Sequence, residues 1–400
     1  MSIIASSRTV RGLAVAIVAA LALAGCSSSD VETASDDTTA SDDTTTAAAT
    51  DDTDDTDDTD DDTSSDEDAP GDEVAASDCE GLTEVAIADI NDPPKFAYST
   101  PRFTDTLGFY EMFCLDAEVT GYSGGIRAVQ AVQAGEADLG MGPTTSFISV
   151  VAGGSEMTGF GGPASRLPQQ VVVTEGIDTC EDLAGQTVAT GGPGDLVHFL
   201  MTMFLDSCGL TIGEDVDVLI GGAVDLGPYL ADGLAPASAT HPEEPAILLD
   251  AVGVDLTSPG GAAEVAPNFH YMTLMAYDEF LADPANRDIA VRVTAAMMAS
   301  NRFFSDPANE AQAIELMREG IIAGDTEGVP ELGYERYAAL LPTTCEEGLN
   351  PEDIEWTINW AFESGEIEEQ MAFDDLMDQS ICAEAEAMVD AVEDLTPPNL

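Results

Sequence analysis

Side chains able to do chemistry are sparse in this chain of 400 residues. There are three histidines, His198, His241 and His270, and seven cysteines. Three imidazoles would be enough to gather around a metal ion, but no supporting cysteine or carboxylate spacing accompanies them, so no metal site is expected. No C-x-x-C occurs, which argues against zinc and against disulfide exchange. H-E-x-x-H and a phosphate loop are absent too. No catalytic residue and no cofactor are assigned, and an enzyme is not expected. What recurs instead is a short turn rich in glycine and hydroxyl groups: Ser123-Gly124-Gly125, Thr144-Thr145, and Gly191-Gly192-Pro193-Gly194-Asp195. Turns that open helices leave backbone N–H groups free for a polar head group, which is the chemistry of capture.

The elements that must position these turns alternate. Glu84–Ile90 is a short strand-like run, and Phe96 and Tyr98 follow it. Phe103, Leu107, Tyr110 and Phe113 make a helical stripe. Ala117–Thr120 reads as a second strand, ended by Gly121, and Leu139–Gly142 as a third. Gln170–Val173, Thr187–Thr190 and Val216–Ile220 are further strands, with a helix from Asp195 to about residue 206 that carries His198 in its first turn. From Tyr277 onward the pattern is mostly helical. Strands alternating with helices indicate βαβ units, hence an α/β fold with parallel-rich sheets flanked by helices. In such sheets ligands bind beyond the carboxyl ends of strands, where the polar turns stand. Each of these residues also has a plainer reading, Asp195 as a helix cap and Phe96 as packing.

The chain opens with Arg8 and Arg11, an apolar run over 12–24, and Leu23-Ala24-Gly25-Cys26. This is the order of an export signal, and its end resembles a bacterial lipobox. Residues 1–25 are therefore expected to be a lipoprotein signal peptide and Cys26 the lipidated residue, leaving the protein exported and anchored to the cell membrane. Residues 26–77 are Ser, Thr, Asp and Ala with little to bury, including DDTDDTDDTDDD at 51–62. Such a stretch is expected to be a disordered acidic tether. Calcium is not expected to be bound there, because no EF-hand-like turn fixes a coordination shell. The net charge of −66 argues against nucleic acid or anionic lipid surfaces as partners. It also suits a saline habitat, where screening quiets self-repulsion. With Cys26 acylated, six cysteines remain in an exported chain, an even number that implies disulfides. Nearest neighbours are expected to pair: Cys79 with Cys114, Cys180 with Cys208, and Cys345 with Cys382, each closing a loop worth about 3–4 kcal/mol in the chain-entropy view.

GFYEMFCLDAEV (108–119), followed by SGGIRAVQAVQAGEADLGMG (123–142), resembles the first lobe of NMT1/THI5-like solute-binding proteins. That family includes the nitrate-, sulfonate- and taurine-binding proteins of ABC importers. GIDTCEDLAGQTVATGGPGDLVHFLMTMFLDSCGL (176–210) resembles the opening of the second lobe. HPEEPAILL (241–249) resembles a segment in which Glu-Pro precedes a helix, and LMAYDEFLA (274–282) the strand that returns to lobe one. The order and spacing of these segments carry the likeness, over about residues 80–320.

The resemblance implies two α/β lobes of the type II periplasmic-binding-protein kind: 78–172 as the first part of lobe one, 173–271 as lobe two, and 272–400 as the return and a helical C-terminal part. It implies a monomer that captures a small nutrient between the lobes by hinge closure and delivers it to an ABC permease. Nitrate, a sulfonate, a taurine-like compound and a pyrimidine vitamin precursor are the classes implied. The ligand-contact candidates are Phe96, Tyr98, Ser123, Gly124, Gly125, Thr144, Thr145, Gly192, Asp195, His198, His241 and Glu244. Two features depart from the pattern. LAPASAT (234–240) is a weak strand interrupted by Pro236, and no basic residue stands obviously in a binding turn; Arg127 and Arg166 are the nearest. The same cleft would also serve a ligand-sensing surface module. Some THI5-like proteins instead make a pyrimidine from their own histidine at a cysteine-rich iron site, but the cysteines here are not clustered. The C-terminal part is expected to be a helical cover on lobe one, pinned by Cys345–Cys382.

Overall fold

Thr83–Asp89 (β1) buries Val85, Ile87 and Ala88, as a central strand does, whereas Leu115–Gly121 (β2) alternates exposed and half-buried positions after Leu115, as an edge strand does. The two run parallel from Thr83↔Leu115 to Asp89↔Gly121. In the computed structural model they belong to a five-stranded sheet with Leu139–Pro143 (β3), Met157–Gly161 (β4) and, in chain order, the late strand Met272–Tyr277 (β10). The order is β2-β1-β3-β10-β4, with β10 antiparallel to both its neighbours. The structure describes residues 79–90, 95–222, 225–261, 266–320 and 326–400. The expected signal peptide, Cys26 and the acidic tether lie outside them. All described residues fall in one unit, Pro70–Leu400.

The intervening chain builds a second five-stranded sheet from Gln170–Val173 (β5), Thr187–Thr190 (β6), Asp217–Ile220 (β7), Ala237–Thr240 (β8) and Thr257–Gly261 (β9). Its order, β7-β6-β8-β5-β9, repeats the logic of the first, with β5 antiparallel to β8 and β9. Two segments cross between the sheets, and they bond to each other. Tyr271 N–H donates to the Ser165 carbonyl (3.2 Å) and Met272 N–H to that of Ala164 (2.9 Å). The fold is therefore α/β, with two mixed sheets, parallel-rich and flanked by helices.

Some expectations need correction. The stripe from Phe103 to Phe113 is two helices, Thr100–Leu107 and Phe109–Met112, because Gly108 at φ +81° takes the left-handed conformation that ends the first. The weak stretch before His241 is no marginal edge. Ala237–Thr240 lies between β6 and β5 with all four residues buried, and Pro236 precedes it, accepting from Thr174 N–H (2.9 Å). The C-terminal helices do more than cover the first sheet. Pro284–Ser305, capped by Asp283 and started by Pro284, packs along Gln379–Asp390. Pro351–Glu363 packs on Thr144–Ala152 and also reaches the second sheet's helix Leu196–Ser207, where Trp360 meets Phe199. Three disulfides join Cys79–Cys114, Cys180–Cys208 and Cys345–Cys382, with Cα–Cα distances of 5.5, 6.1 and 5.6 Å. Among the described residues no helix is long and apolar enough to cross a membrane.

Candidate functional site

The carboxyl ends of strands from both sheets meet. After β1, Lys95 forms an ion pair with Glu244, which opens the helix that follows β8. Tyr98 comes from the same turn as Lys95. Its hydroxyl lies 2.7 Å from His241 Nε2, and the two rings meet edge to face at 4.7 Å. Ser146, in the first turn of Thr144–Ala152 after β3, donates to the Gly194 carbonyl of the β6 turn (3.3 Å). The crossing segments complete the group. Gln169 Nε2 donates to Tyr271 Oη (2.7 Å) and Tyr98 Oη (3.4 Å), and lies 3.5 Å from His241 Nε2.

The site is buried yet incompletely bonded. Gln169, His241, Glu243 and Thr145 are each at most 5 % exposed, and Gln169 Oε1, His241 Nδ1, Glu243 Oε1 and Thr145 Oγ1 have no protein partner. Buried polar atoms are normally paired, so three orphans around one junction, Gln169 Oε1, His241 Nδ1 and Glu243 Oε1, are costly unless something else meets them. Burial sets the protonation. It holds His241 neutral, well below the ordinary imidazole range, with the Lys95 charge adding to the effect. Burial also raises the Glu243 carboxyl to about 7 and keeps the Tyr98 phenol protonated. Asp195 is raised by burial as well, against the opposing Val197 N–H bond.

The residues expected from the sequence divide between this junction and elsewhere. Tyr98, Asp195, His241 and Glu244 fall at it, and Thr145 is buried in the first turn of Thr144–Ala152. Asp195 is also the cap of Leu196–Ser207, accepting from Val197 N–H at 2.9 Å, so both its readings hold. Phe96 does not. Its ring lies on Gly333, where a Cβ would come within 2.3 Å of it. Thr144 is used inside the first sheet's own network, with Oγ1 2.8 Å from both His270 Nδ1 and Thr273 Oγ1. Gly125 is needed for packing: a Cβ there would sit 2.4 Å from Pro143 Cδ. Ser123, Gly124 and Gly192 are half-buried turn positions. His198 faces Thr190 Oγ1 (3.3 Å) and Glu366 Oε1 (3.6 Å). The sequence reading passed over Lys95, Ser146, Gln169, Glu243 and Tyr271. A base does stand in a binding turn, and it is Lys95 rather than Arg127 or Arg166; Arg166 serves Asp353 (3.3 Å) and the Pro267 carbonyl (3.2 Å).

Two kinds of chemistry are tested by the same geometry. Gly121-Tyr122-Ser123-Gly124-Gly125 spells G-x-S-x-G between β2 and a helix, the setting of a nucleophile elbow. A serine nucleophile needs a base, and the three histidines are engaged elsewhere: His198 and His241 as above, and His270 with Thr144 and the Gly348 carbonyl. The histidines thus occupy three separate settings. No group of three or more histidine, cysteine or acidic side chains among the described residues is arranged to hold a metal.

Two sheets of order 2-1-3-n-4, joined by two crossing segments and meeting at their strand ends, define a periplasmic-binding-protein fold. The profile described as NMT1/THI5 like matches residues 103–309, and the chain belongs to that family. Solved structures agree on the fold. A protein of Bordetella bronchiseptica RB50 superposes with a TM-score of 0.62 at 19% identity, over 76% of this chain and 97% of its own. The alkanesulfonate-binding protein SsuA from Xanthomonas axonopodis pv. citri, bound to MOPS, gives 0.58 at 15% identity, over 74% and 99%. The periplasmic nitrate-binding protein NrtA from Synechocystis PCC 6803 gives 0.61 at 12% identity, over 79% and 91%. No curated protein sequence matches the chain significantly.

Proposed function

We propose that this protein is the extracytoplasmic solute-binding component of an ABC importer. It is lipid-anchored at Cys26 after loss of residues 1–25 and held off the bilayer by the acidic tether 26–77. Lobe one comprises 78–172 and the return after 272, and lobe two comprises 173–271. The monomer captures a small nutrient between the lobes by hinge closure and passes it to a membrane permease. Sulfonate, nitrate, taurine-like compounds and pyrimidine precursors are the classes that the family and the named relatives suggest. One observation carries the reading: strand-end side chains of both sheets converge at Tyr98–His241, with three buried polar atoms around them left unpartnered. Such atoms are what a captured polar molecule would satisfy. No covalent step is proposed, and the six cysteines of the described residues are tied in disulfides rather than available as ligands.

Thermal melts and titration calorimetry of the full chain against sulfonates, nitrate, pyrimidines and amines test the proposal. A ligand-induced rise in melting temperature, with a fall in radius of gyration by X-ray scattering, is the expected result. No shift with any compound, and scattering curves that never change, would overturn it.

A further inference from the structure

The charges at the junction narrow what it can hold, granted the binding role just proposed. Three carboxylates stand there, Asp195, Glu243 and Glu244. Asp195 and Glu243 both act electrostatically on the Tyr98 hydroxyl. The one lysine, Lys95, is paired with Glu244, and His241 is neutral. Arg166 is committed to Asp353, and Arg127 is exposed on its own helix. The helix start at Thr144 opens nearby and favours an anion, but a helix end carries only about half a charge. The start at Leu196 is already met by the Asp195 carboxylate, and that at Glu244 carries Glu243 at its cap and Glu244 in its first turn.

The aromatic rings and the buried acceptors point the same way. Tyr98 and Tyr271 lie with ring centroids 6.2 Å apart, and His241 stands edge-on to Tyr98. Aromatic faces attract cations. Gln169 Oε1 and an ionised Glu243 Oε1 are acceptors, both buried without a partner, so each calls for a donor, whereas His241 Nδ1 is left to donate when Nε2 accepts from Tyr98. An incoming sulfonate or nitrate brings only acceptors and a charge of the same sign as the excess here, and would be desolvated beside it.

We infer that the cleft takes a small organic cation bearing N–H groups, of the amine or amidine class, and rejects sulfonate and nitrate. Calorimetry on the full, disulfide-intact chain at about 0.15 M salt, where screening still leaves buried charges effective, would compare two sets of probes. Ethanolamine, agmatine and benzamidine form one set; isethionate, ethanesulfonate and nitrate form the other. At least one cation is expected to bind, and no anion. Asp195→Asn retains a good helix cap and Glu243→Gln retains shape, so the double variant is expected to melt near the wild type while binding the cation about tenfold more weakly or worse. Binding of an anion as tightly as any cation overturns the inference and leaves the capture role standing. Unchanged cation affinity in the double variant overturns it as well. Failure of every probe to bind, with unchanged scattering, removes both readings.

Discussion

The Trp360 ring lies on that of Phe199, centroids 5.0 Å apart and planes inclined by 47°. This contact joins a helix near the end of the chain to the helix that follows β6, and Glu366 adds His198 beside it at 3.6 Å. Aromatic pairs of this kind are worth about 0.5–1.5 kcal/mol beyond the area they bury. Separating the sheets has to break it. Trp360→Ala is therefore expected to raise the radius of gyration of the ligand-free protein in scattering. An unchanged radius would mean that the C-terminal helices do not restrain the opening.

Tyr98→Phe removes one hydroxyl and leaves His241 Nε2 buried with a partner fewer. The expected cost is about 1 kcal/mol, read as a melting temperature about 2 °C lower. Hydrogen exchange over 241–249 should speed up as the sheets part more often. A variant with wild-type exchange there would show that this hydroxyl does not hold the two turns together.

Gly162→Ala tests how the C-terminal part docks. A Cβ at this position would come 1.6 Å from the Gly348 carbonyl oxygen and 2.8 Å from His270 Nε2. The first obstacle is backbone, which no rotamer relieves, and the His270–Gly348 bond of 2.9 Å would be lost with it. The loss should reach about 3 kcal/mol, with limited proteolysis beginning between 345 and 390. Wild-type melting and protease resistance would rule out this close approach.

Stability should fall as the pH rises from 6.5 to 8. Burial lifts the Asp89 carboxyl from 3.8 to about 8, against the Ile90 N–H bond and the Arg102 charge. The folded state thus holds that proton more tightly than the unfolded state, and its stabilising effect fades as pH climbs through the window. Glu243, lifted to about 7, acts in the same direction. His270, lowered by burial to about 4, acts in the opposite direction, as does His241; they partly offset the fall just above 6.5, and their effect is complete only by about 7.5, where the unfolded imidazole has lost its proton. Only the carboxylates remain above that, each giving a slope of up to about 1.4 kcal/mol per pH unit. Asp89→Asn should flatten most of it in thermal melts between pH 6.5 and 8. The same slope in that variant would show that Asp89 is ionised in the fold.

The legible parts of the site were those that local pattern marks. Thr187–Thr190 ends in a run of glycines, so both β6 and the turn bearing Asp195 could be placed. Tyr98 was found because it follows a strand, and His241 because its segment resembles the family's Glu-Pro stretch. Gln169 and Tyr271 were not, since they sit in crossing segments without periodicity and acquire a role only when those segments meet. Lys95 is 149 residues from Glu244, a pairing that no window of sequence contains. Ala237–Thr240 was doubted because alanine and serine carry little strand signal, although small side chains are what a strand buried between two neighbours accommodates.

Cys79 is bonded to Cys114, which immediately precedes β2, while β1 begins at Thr83. Any tug on the chain ahead of residue 79 is therefore passed at once to the starts of two adjacent parallel strands. Their seven paired positions bear the load together instead of peeling one after another. Force spectroscopy with the handle upstream of Cys79 should record a lower rupture force once a reductant is added, and equal forces would show that this staple has no mechanical part.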